Sequence, residues 1–328
     1  MLKVGLIGCG GIGAVHAECW LKLSDKARIV AIADATPQKA KKYADQVGAR
    51  IYSDGMELLK NEKLDIVDIC VPTFLHAIYV LEAMNYVKNI MVEKPICLKE
   101  EEAQILLVAQ KKTNTRVMVG QVNRFTPSYS FLKEIIDSVK YGSIVSGHFS
   151  HISPRPIWMK RHDDPNVTGG VGLDLHIHDA DYVRYLMNRE PDNVDSWGTH
   201  DKDGYLQHLW SSYRYGNVLL TSEASWDYPA NFPFHETFRV KLEHAALLLD
   251  DKGMLTVYPS DGDAYVPELD SPMMMDMGIN VSDMGPFLKE ITYFLSTIIQ
   301  DVPLEIASLP EAVASFRLVK KELELVKL

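Results

Sequence analysis

Three residues have types and positions that suit proton transfer. Asp174 and His178 are four residues apart in a stretch predicted to be helical, so they share one face. A carboxylate beside an imidazole holds its orientation and raises its basicity, which suits a general base near neutral pH. Lys94 ends a predicted strand, and Pro95 after it favours an extended backbone. A lysine in that position can orient or polarise a substrate oxygen.

A glycine-rich turn near the beginning of the chain predicts a dinucleotide site. The motif VGLIGCGGIG contains the spacing G-x-G-x-x-G between an apolar run and a helical segment. In such a site the first glycine makes the tight turn, the second admits the pyrophosphate, and the third lets the helix pack on the strand. The helix N-terminus then attracts the anion. The predicted cofactor contacts in this loop are Gly8, Gly10, Gly11, Ile12 and Gly13.

Asp34 indicates which dinucleotide is bound. It follows the next apolar run, Ile29–Ala33, roughly 20 residues after the glycine loop. A carboxylate there accepts hydrogen bonds from the ribose hydroxyls and repels a 2′-phosphate. No arginine lies among Ala35, Thr36, Pro37 and Gln38 to neutralise that phosphate. The sequence therefore predicts NAD in preference to NADP.

The elements that must position these residues alternate between strand and helix over the first 120 residues or so. Such alternation is typical of an α/β fold with a doubly wound parallel sheet, in which the ligand lies beyond the carboxyl ends of the strands. Polar and glycine residues follow five predicted strands at that edge, which is where we expect the cofactor. They are the glycine loop, Asp34, Pro72-Thr73, Glu93-Lys94 and Gly120-Gln121.

The pattern changes after Gln121. Serial strands with hairpin-type turns predict a second, α+β domain with one large, mostly antiparallel sheet, and the helix candidate Gly172–Met187 lies between them. We expect domain 1 to span residues 1–122 and domain 2 to span residues 123–328. A sheet covered on one face predicts a homodimer or homotetramer. The residues expected to supply that interface are Trp210, Tyr213, Tyr215, Leu219 and Trp226.

Composition excludes several classes of protein. The chain has 328 residues, 47% of them hydrophobic, and a formal net charge of −10, which argues against nucleic acid and anionic membrane surfaces as partners. No apolar run is long enough to span a membrane, and the glycines near the start argue against a signal peptide. The four cysteines form no C-x-x-C pair, so a reduced, cytoplasmic location is expected.

Two other features have competing interpretations. His176 and His178, with the aspartates around them, suggest a metal site, but residues two apart face opposite ways on a helix, so we predict no metal. The polar loop Arg155–Asn166, which contains Trp158, is either a substrate lid or a solvated loop.

The whole chain resembles the glucose-fructose oxidoreductase / inositol dehydrogenase / MocA family. The resemblance rests on the glycine loop, Asp34 and the motifs VPTFLH, VEKP, NRFTP and GGVGLDLHIHDADYV. It implies a Rossmann domain followed by an open-faced α/β domain, and NAD(P)-dependent oxidation or reduction of a sugar or polyol carbon. Lys94, Asp174 and His178 match the catalytic trio of the family. His176 departs from it, because the family often has glycine there, so the substrate does not carry over.

The sequence and the resemblance together predict hydride transfer between nicotinamide and a secondary alcohol or ketone carbon of a sugar, inositol or related polyol. The further cofactor contacts expected are Pro72, Thr73, His76, Glu93, Lys94 and Gln121. The residues expected to bind substrate are Lys94, Arg124, Trp158, Asp174 and His178. Three alternatives remain: a redox-assisted glycoside lyase or hydrolase, a non-catalytic NAD-binding protein, and a hydrolase with a metal at His176 and His178.

Overall fold

The computed structural model describes residues 1–156, 164–274 and 283–326. The strands are β1 (Leu2–Ile7), β2 (Ala27–Ala33), β3 (Arg50–Tyr52), β4 (Ile66–Ile69), β5 (Asn89–Glu93), β6 (Arg116–Gly120), β7 (Ile144–Pro154), β8 (Asn193–His200), β9 (Leu206–Tyr215), β10 (Val218–Tyr228), β11 (His235–Leu242), β12 (Ala245–Leu249) and β13 (Leu255–Pro259). The α-helices are α1 (Gly11–Lys22), α2 (Pro37–Val47), α3 (Gly55–Asn61), α4 (His76–Ala83), α5 (Glu100–Thr113), α6 (Pro127–Asp137), α7 (Ile177–Met187), α8 (Gly285–Ile299) and α9 (Leu309–Leu325). Short 3₁₀ helices cover Thr73–Leu75 and Val122–Phe125, and a π-helix covers Gly172–His176.

The first six strands form one parallel sheet in the order β3-β2-β1-β4-β5-β6. This is the order of a dinucleotide-binding doubly wound sheet, whose topological switch lies between β1 and β4. Its central strands are buried on both faces, which is why their sequences are almost continuously apolar. The α/β fold class predicted from the alternation of strands and helices is confirmed.

The chain divides into two structural units, and the division differs in one respect from the two predicted domains. The first unit comprises residues 1–122 and 272–314, and the second comprises 123–271 and 315–328. Residues 272–314 join the first unit because their backbone pairs with β6: the Val119 N–H donates to the Ala307 carbonyl at 2.9 Å, and Met118 forms a bridge with Ser308. Within the same unit the ring of Phe287, on α8, lies 6.0 Å from that of His16 on α1.

The second unit is built on a seven-stranded sheet in the order β13-β12-β11-β7-β10-β9-β8. Neighbouring strands are antiparallel, except that β7 and β10 run parallel. The large, mostly antiparallel sheet expected from the sequence is therefore confirmed.

Alternation along β9 and β10 separates the aromatic residues that were predicted to form a single interface. Trp210 is 40% exposed and Leu219 is 47% exposed, whereas Tyr213, Tyr215 and Trp226 are buried in the unit's own core. Successive side chains of a strand point to opposite faces, so these five residues cannot share one surface. The prediction that all five supply an interface is wrong for the three buried ones.

The described ranges contain no helix that is long and apolar enough to cross a membrane. The four cysteines, Cys9, Cys19, Cys70 and Cys97, are buried. Burial raises the pKa of the Cys9 thiol to about 12, and Asp34 and Asp68 add to that rise. Cysteine acts here as a small apolar side chain, as the sequence suggested.

Candidate functional site

The glycine loop leaves no room for side chains at two of its three motif glycines. Gly8 has a φ of +98°, and a Cβ there would lie 2.4 Å from the Cys70 carbonyl oxygen. A Cβ at Gly13 would lie 2.1 Å from the Gly8 carbonyl oxygen. These contacts hold α1 close against β1 and β4, so the first and third glycines act as the motif predicts.

The second glycine, Gly10, borders open space and makes no close packing contact in the ranges that the structure describes. Gly10 precedes the first turn of α1, and a Cβ there would meet no atom of the described residues within 4 Å. Within the described part of the chain no side chain caps this helix N-terminus, and its first turn carries no acidic residue. The backbone N–H groups and the helix dipole therefore face a space that suits a pyrophosphate.

Asp34 is tied to the glycine loop by its own carboxylate. One oxygen accepts from the Cys9 N–H at 2.7 Å, and the other accepts from the Thr36 N–H at 2.7 Å. Because each carboxylate oxygen has two lone pairs, both can still accept from a ribose hydroxyl. Asp34 thus joins the turn after β2 to the turn after β1, which places its charge at the edge expected for the cofactor.

Gln121 provides a second sign that this edge is built for a ligand. It follows β6 and is 2% exposed, yet among the described residues neither its amide oxygen nor its amide nitrogen has a hydrogen-bond partner. A buried polar group without a partner is costly, so such a group usually marks a ligand or water position. The open space at Gly10 and the amide of Gln121 both fit a dinucleotide.

His76 has a structural role at the same edge. Its ring is buried, Nδ1 lies 2.7 Å from the Pro95 carbonyl oxygen, and Nε2 lies 2.8 Å from the Val71 carbonyl oxygen. Burial lowers the pKa of His76, while the hydrogen bonds with the two carbonyl oxygens act in the opposite direction. The His76 ring lies between these two carbonyl groups. It thereby ties the turn that contains Pro72 and Thr73 to the turn after Lys94. The direct contacts of these residues with the cofactor remain predictions.

Glu93 belongs to a buried hydrogen-bond network that was not predicted from the sequence, and it binds the backbone of Lys94. Glu93 Oε1 lies 3.0 Å from Nε2 of His16, and Glu93 Oε2 accepts from the Lys94 N–H at 3.1 Å. The other ring nitrogen of His16 lies 2.9 Å from Asp68, which also accepts from the Trp20 indole at 2.7 Å. The backbone at Lys94 is therefore anchored through Glu93 to α1 and β4.

The charges in this network favour a protonated His16. Burial lowers the pKa of His16, but Asp68 and Cys70 together outweigh it and raise the pKa well above its usual value. A protonated imidazole can donate from both ring nitrogens, which matches a carboxylate on each side. Asp68 could have been noticed in the sequence as a charged residue inside the apolar strand IVDI, because such residues need a buried partner.

The predicted helix Gly172–Met187 begins as a π-helix and continues as α7. π-helical turns often occur at functional sites. In the stretch 168–184 every residue is buried except Asp174 and His178, which are partly exposed. The two side chains expected to do chemistry are thus the two that this stretch presents at a surface.

His176 points into the interior of the second unit. It is 0% exposed, and Nε2 forms a hydrogen bond with the carboxylate of Glu322, on α9. The Tyr213 hydroxyl lies 3.1 Å from the same nitrogen, and the Ser211 hydroxyl donates to Glu322 at 3.1 Å. His176 and His178 therefore face opposite ways, which argues against a shared metal. His176 acts as a buried anchor for the π-helix.

Arg124 is also buried in the second unit. Its guanidinium makes a bidentate pair with Asp181 at 2.8 and 2.7 Å, with the Tyr185 ring 4.6 Å away. The Ser315 hydroxyl completes the Asp181 contacts. With a side chain that is 1% exposed, Arg124 supports α7, and its contact with substrate stays a prediction. Trp158 lies outside the described residues.

His151, on β7, is a further residue that the sequence analysis missed. Its ring stacks on that of His178, with centroids 5.6 Å apart and planes inclined by 24°. Its Nδ1 lies 2.8 Å from a carboxylate oxygen of Asp179. No local pattern predicts this contact, because it depends on how α7 packs on the sheet.

Comparison with known proteins places both parts of the chain in one family. A family model described as "Oxidoreductase family, NAD-binding Rossmann fold" matches residues 2–121. A second model, described as "GFO/IDH/MocA C-terminal domain", matches residues 129–248.

Individual relatives agree with these matches. The chain is 31% identical over 199 residues to myo-inositol 2-dehydrogenase of Thermotoga maritima, which covers 60% of this chain and 58% of that protein. It is 30% identical over 220 residues to scyllo-inositol 2-dehydrogenase (NAD(+)) of Bacillus subtilis, which covers 66% of this chain and 61% of that protein. The matches thus span less than two thirds of these relatives' length.

A solved structure extends the likeness in fold to nearly the whole chain. Levoglucosan dehydrogenase in complex with NADH and levoglucosan aligns with a TM-score of 0.84, covering 99% of this chain and 96% of that one. The sequence identity is 20%, so this likeness concerns the fold alone.

Proposed function

Because the chain belongs to the GFO/IDH/MocA oxidoreductase family and begins with its NAD-binding Rossmann fold, we propose that it is an NAD-dependent dehydrogenase. Its substrate is a secondary alcohol, or the corresponding ketone, in a sugar, an inositol or a related polyol. The names of the two inositol dehydrogenases among its relatives support this substrate class. The glycine loop, Asp34 and Gln121 support the cofactor.

One observation carries the catalytic part of the proposal. In the stretch 168–184, only Asp174 and His178 are not buried. A surface that presents one carboxylate and one imidazole on consecutive turns suits general base catalysis. A helix with a purely structural role does not require these two side chains to be the accessible ones. Lys94 joins them in the proposal because its backbone is held at the cofactor edge of the first unit by Glu93.

Each residue has a distinct task in the proposed oxidation. His178 accepts the proton of the substrate hydroxyl, and Lys94 donates a hydrogen bond to the same oxygen. Asp174 orients the base or binds a neighbouring hydroxyl. Bound NAD would supply the hydride acceptor, so the alcohol would lose one proton and one hydride and become a ketone. General base catalysis of this kind contributes roughly 10²–10⁴-fold to the rate.

Formation of NADH, followed at its near-ultraviolet absorbance, tests the proposal. The purified protein is given NAD and a panel of inositols, hexoses, uronates and glycosides. We expect turnover with at least one member and its loss in His178→Ala. His244→Ala is the matched control, because His244 is an exposed histidine in the turn between β11 and β12 of the same unit.

The same panel separates the dehydrogenase from its rivals. Release of an aglycone from a glycoside without net NADH identifies a redox-assisted lyase or hydrolase. NAD binding without turnover on any member of the panel contradicts the proposed activity and favours a non-catalytic NAD-binding protein.

A further inference from the structure

His151 meets acidic groups on both sides of its ring. It is 2% exposed, Nδ1 lies 2.8 Å from Asp179 Oδ1, and Nε2 lies 3.5 Å from Glu236 Oε1. Asp179 follows His178 on α7, and Glu236 lies on the neighbouring strand β11. Nδ1 forms a hydrogen bond with Asp179, and Glu236 lies within ion-pair distance of Nε2, so negative charge flanks both ring nitrogens. The geometry therefore favours a positively charged His151.

The electrostatic balance agrees with that geometry. Burial lowers the pKa of His151, but Asp179 and Glu236 together outweigh it and raise the pKa to about 10. His151 is therefore a cation throughout the physiological pH range. Its ring is stacked on that of His178, 5.6 Å away, and His178 is only partly exposed, so water screens the charge incompletely.

The other groups around His151 do not replace this charge. Tyr129, on α6, is buried, and burial raises its pKa well above the usual value, so its phenol is neutral. The Phe234 ring, 6.1 Å from that of His151, is apolar. His148 precedes His151 by three residues on β7 and uses the opposite face of the strand, where it contacts Thr221 and stacks on Trp210.

We infer that His151 is a positioning residue for His178, which holds the His178 ring by stacking and keeps it unprotonated near neutral pH by offsetting the negative charge of Asp179 and Glu236. Like charges disfavour each other, so an imidazolium beside His178 makes protonation of His178 harder. Without that cation, the negative charge of Asp179 and Glu236 around the stacked ring would be uncompensated, which would make protonation of His178 easier. A base for alcohol oxidation must be neutral before it can accept a proton. The inference rests on the proposed role of His178 as the base.

The variant His151→Asn separates charge from structure. An asparagine amide can donate to Asp179 in place of Nδ1, but it carries no charge. We expect the pKa of His178 to rise by about one unit, with a matching shift of the acidic limb of kcat/KM for oxidation to higher pH. Turnover lost at neutral pH should return when the pH is raised. A role limited to packing would lower turnover at every pH and leave the limb in place.

The matched control is His148→Asn, which changes a histidine of the same strand that faces away from His178. It should leave the acidic limb where it is in the wild type. If His151→Asn fails to fold, Glu236→Gln tests the inference with the opposite change of charge. Glu236 is 29% exposed, and its replacement removes one of the two negative charges that balance the His151 cation. The limb should then move to lower pH; an unmoved limb or a shift to higher pH overturns the inference.

Nuclear magnetic resonance of histidine-labelled protein reports the pKa of His178 without any substrate. The resonance is assigned by its absence from His178→Gln. If the pKa of His178 is unchanged in His151→Asn, the inference is wrong, whether or not the enzyme turns over. If that pKa rises while His178→Ala retains turnover, the effect of His151 on the pKa of His178 is confirmed, but the proposed base is wrong and His151 has no positioning role in catalysis.

Discussion

His16 and Glu93 connect the start of the chain to the turn that carries Lys94. The Nε2 atom of His16, one turn into α1, lies 3.0 Å from Oε1 of Glu93 at the end of β5. The same helix begins at the glycine loop, so one buried imidazole links the predicted pyrophosphate site to the backbone of the predicted catalytic lysine. The pair is buried, with side-chain exposures of 0% and 8%.

Replacing His16 should destabilise the protein in a pH-dependent way. The folded state raises the pKa of His16, so its protonated form contributes stability that is complete below about pH 6.5, the unfolded value, and is lost as the pH rises through the folded pKa. We expect His16→Gln to lower the free energy of unfolding by about 3–5 kcal/mol near pH 6, as for other broken buried ion pairs. Urea unfolding of both proteins at several pH values measures this. A deficit that widened at alkaline pH would contradict a protonated His16.

Asp34 should make the protein prefer NAD to NADP. Its carboxylate would face the 2′-phosphate of NADP, and like charges placed together cost several kcal/mol, which corresponds to a preference on the order of 100-fold or more in kcat/KM. The Asp34→Asn variant keeps an acceptor for the Cys9 or Thr36 N–H and removes the charge. The ratio of kcat/KM with NAD to kcat/KM with NADP should therefore fall. Comparable kcat/KM values for the two cofactors in the wild type would refute this role of Asp34.

Replacing His178, the proposed base in the second unit, should affect turnover and leave cofactor binding unchanged. We expect His178→Ala to lose roughly 10²–10⁴-fold in kcat while NADH still binds in a fluorescence titration, because the glycine loop and Asp34 belong to the first unit. Asp174→Asn should lose less if Asp174 only orients the base. Lys94→Ala should also be severely impaired, and Lys94→Ala/His178→Ala should be little worse than either single variant if both act on one oxygen. Additive losses would argue for separate roles, and near-wild-type turnover of His178→Ala would remove it as the base.

The exposed aromatic residues of the second sheet predict self-association. Trp197 and Trp210 are paired across β8 and β9 and are 61% and 40% exposed, and Leu219 on β10 is 47% exposed. Large apolar groups exposed together often mark an interface, so we expect a homodimer or homotetramer by light scattering. Trp210→Arg should reduce the measured mass, whereas Ile105→Arg, on the 52% exposed Ile105 of α5, should not. A wild-type protein with the mass of a single chain at micromolar concentration would rule this out.

The sequence determined the features that depend on neighbours along the chain. The glycine spacing, the position of Asp34 after β2 and the common face of Asp174 and His178 follow from local backbone geometry and helical periodicity. These local rules were enough to predict the parallel sheet, whereas the family was predicted from the resemblance of the motifs. They also indicated that His176 and His178 point in opposite directions.

The tertiary structure decided which partner each side chain meets. Periodicity separates Trp210 from Tyr213, but only the packed sheet shows that Tyr213 faces the core. Arg124 pairs with Asp181, His176 with Glu322, and His151 with Asp179 through contacts between distant parts of the chain. Such contacts depend on which surfaces pack together when the core forms. Burial then requires these polar residues to have partners, because an unpaired polar group or charge in the interior is too costly to remain.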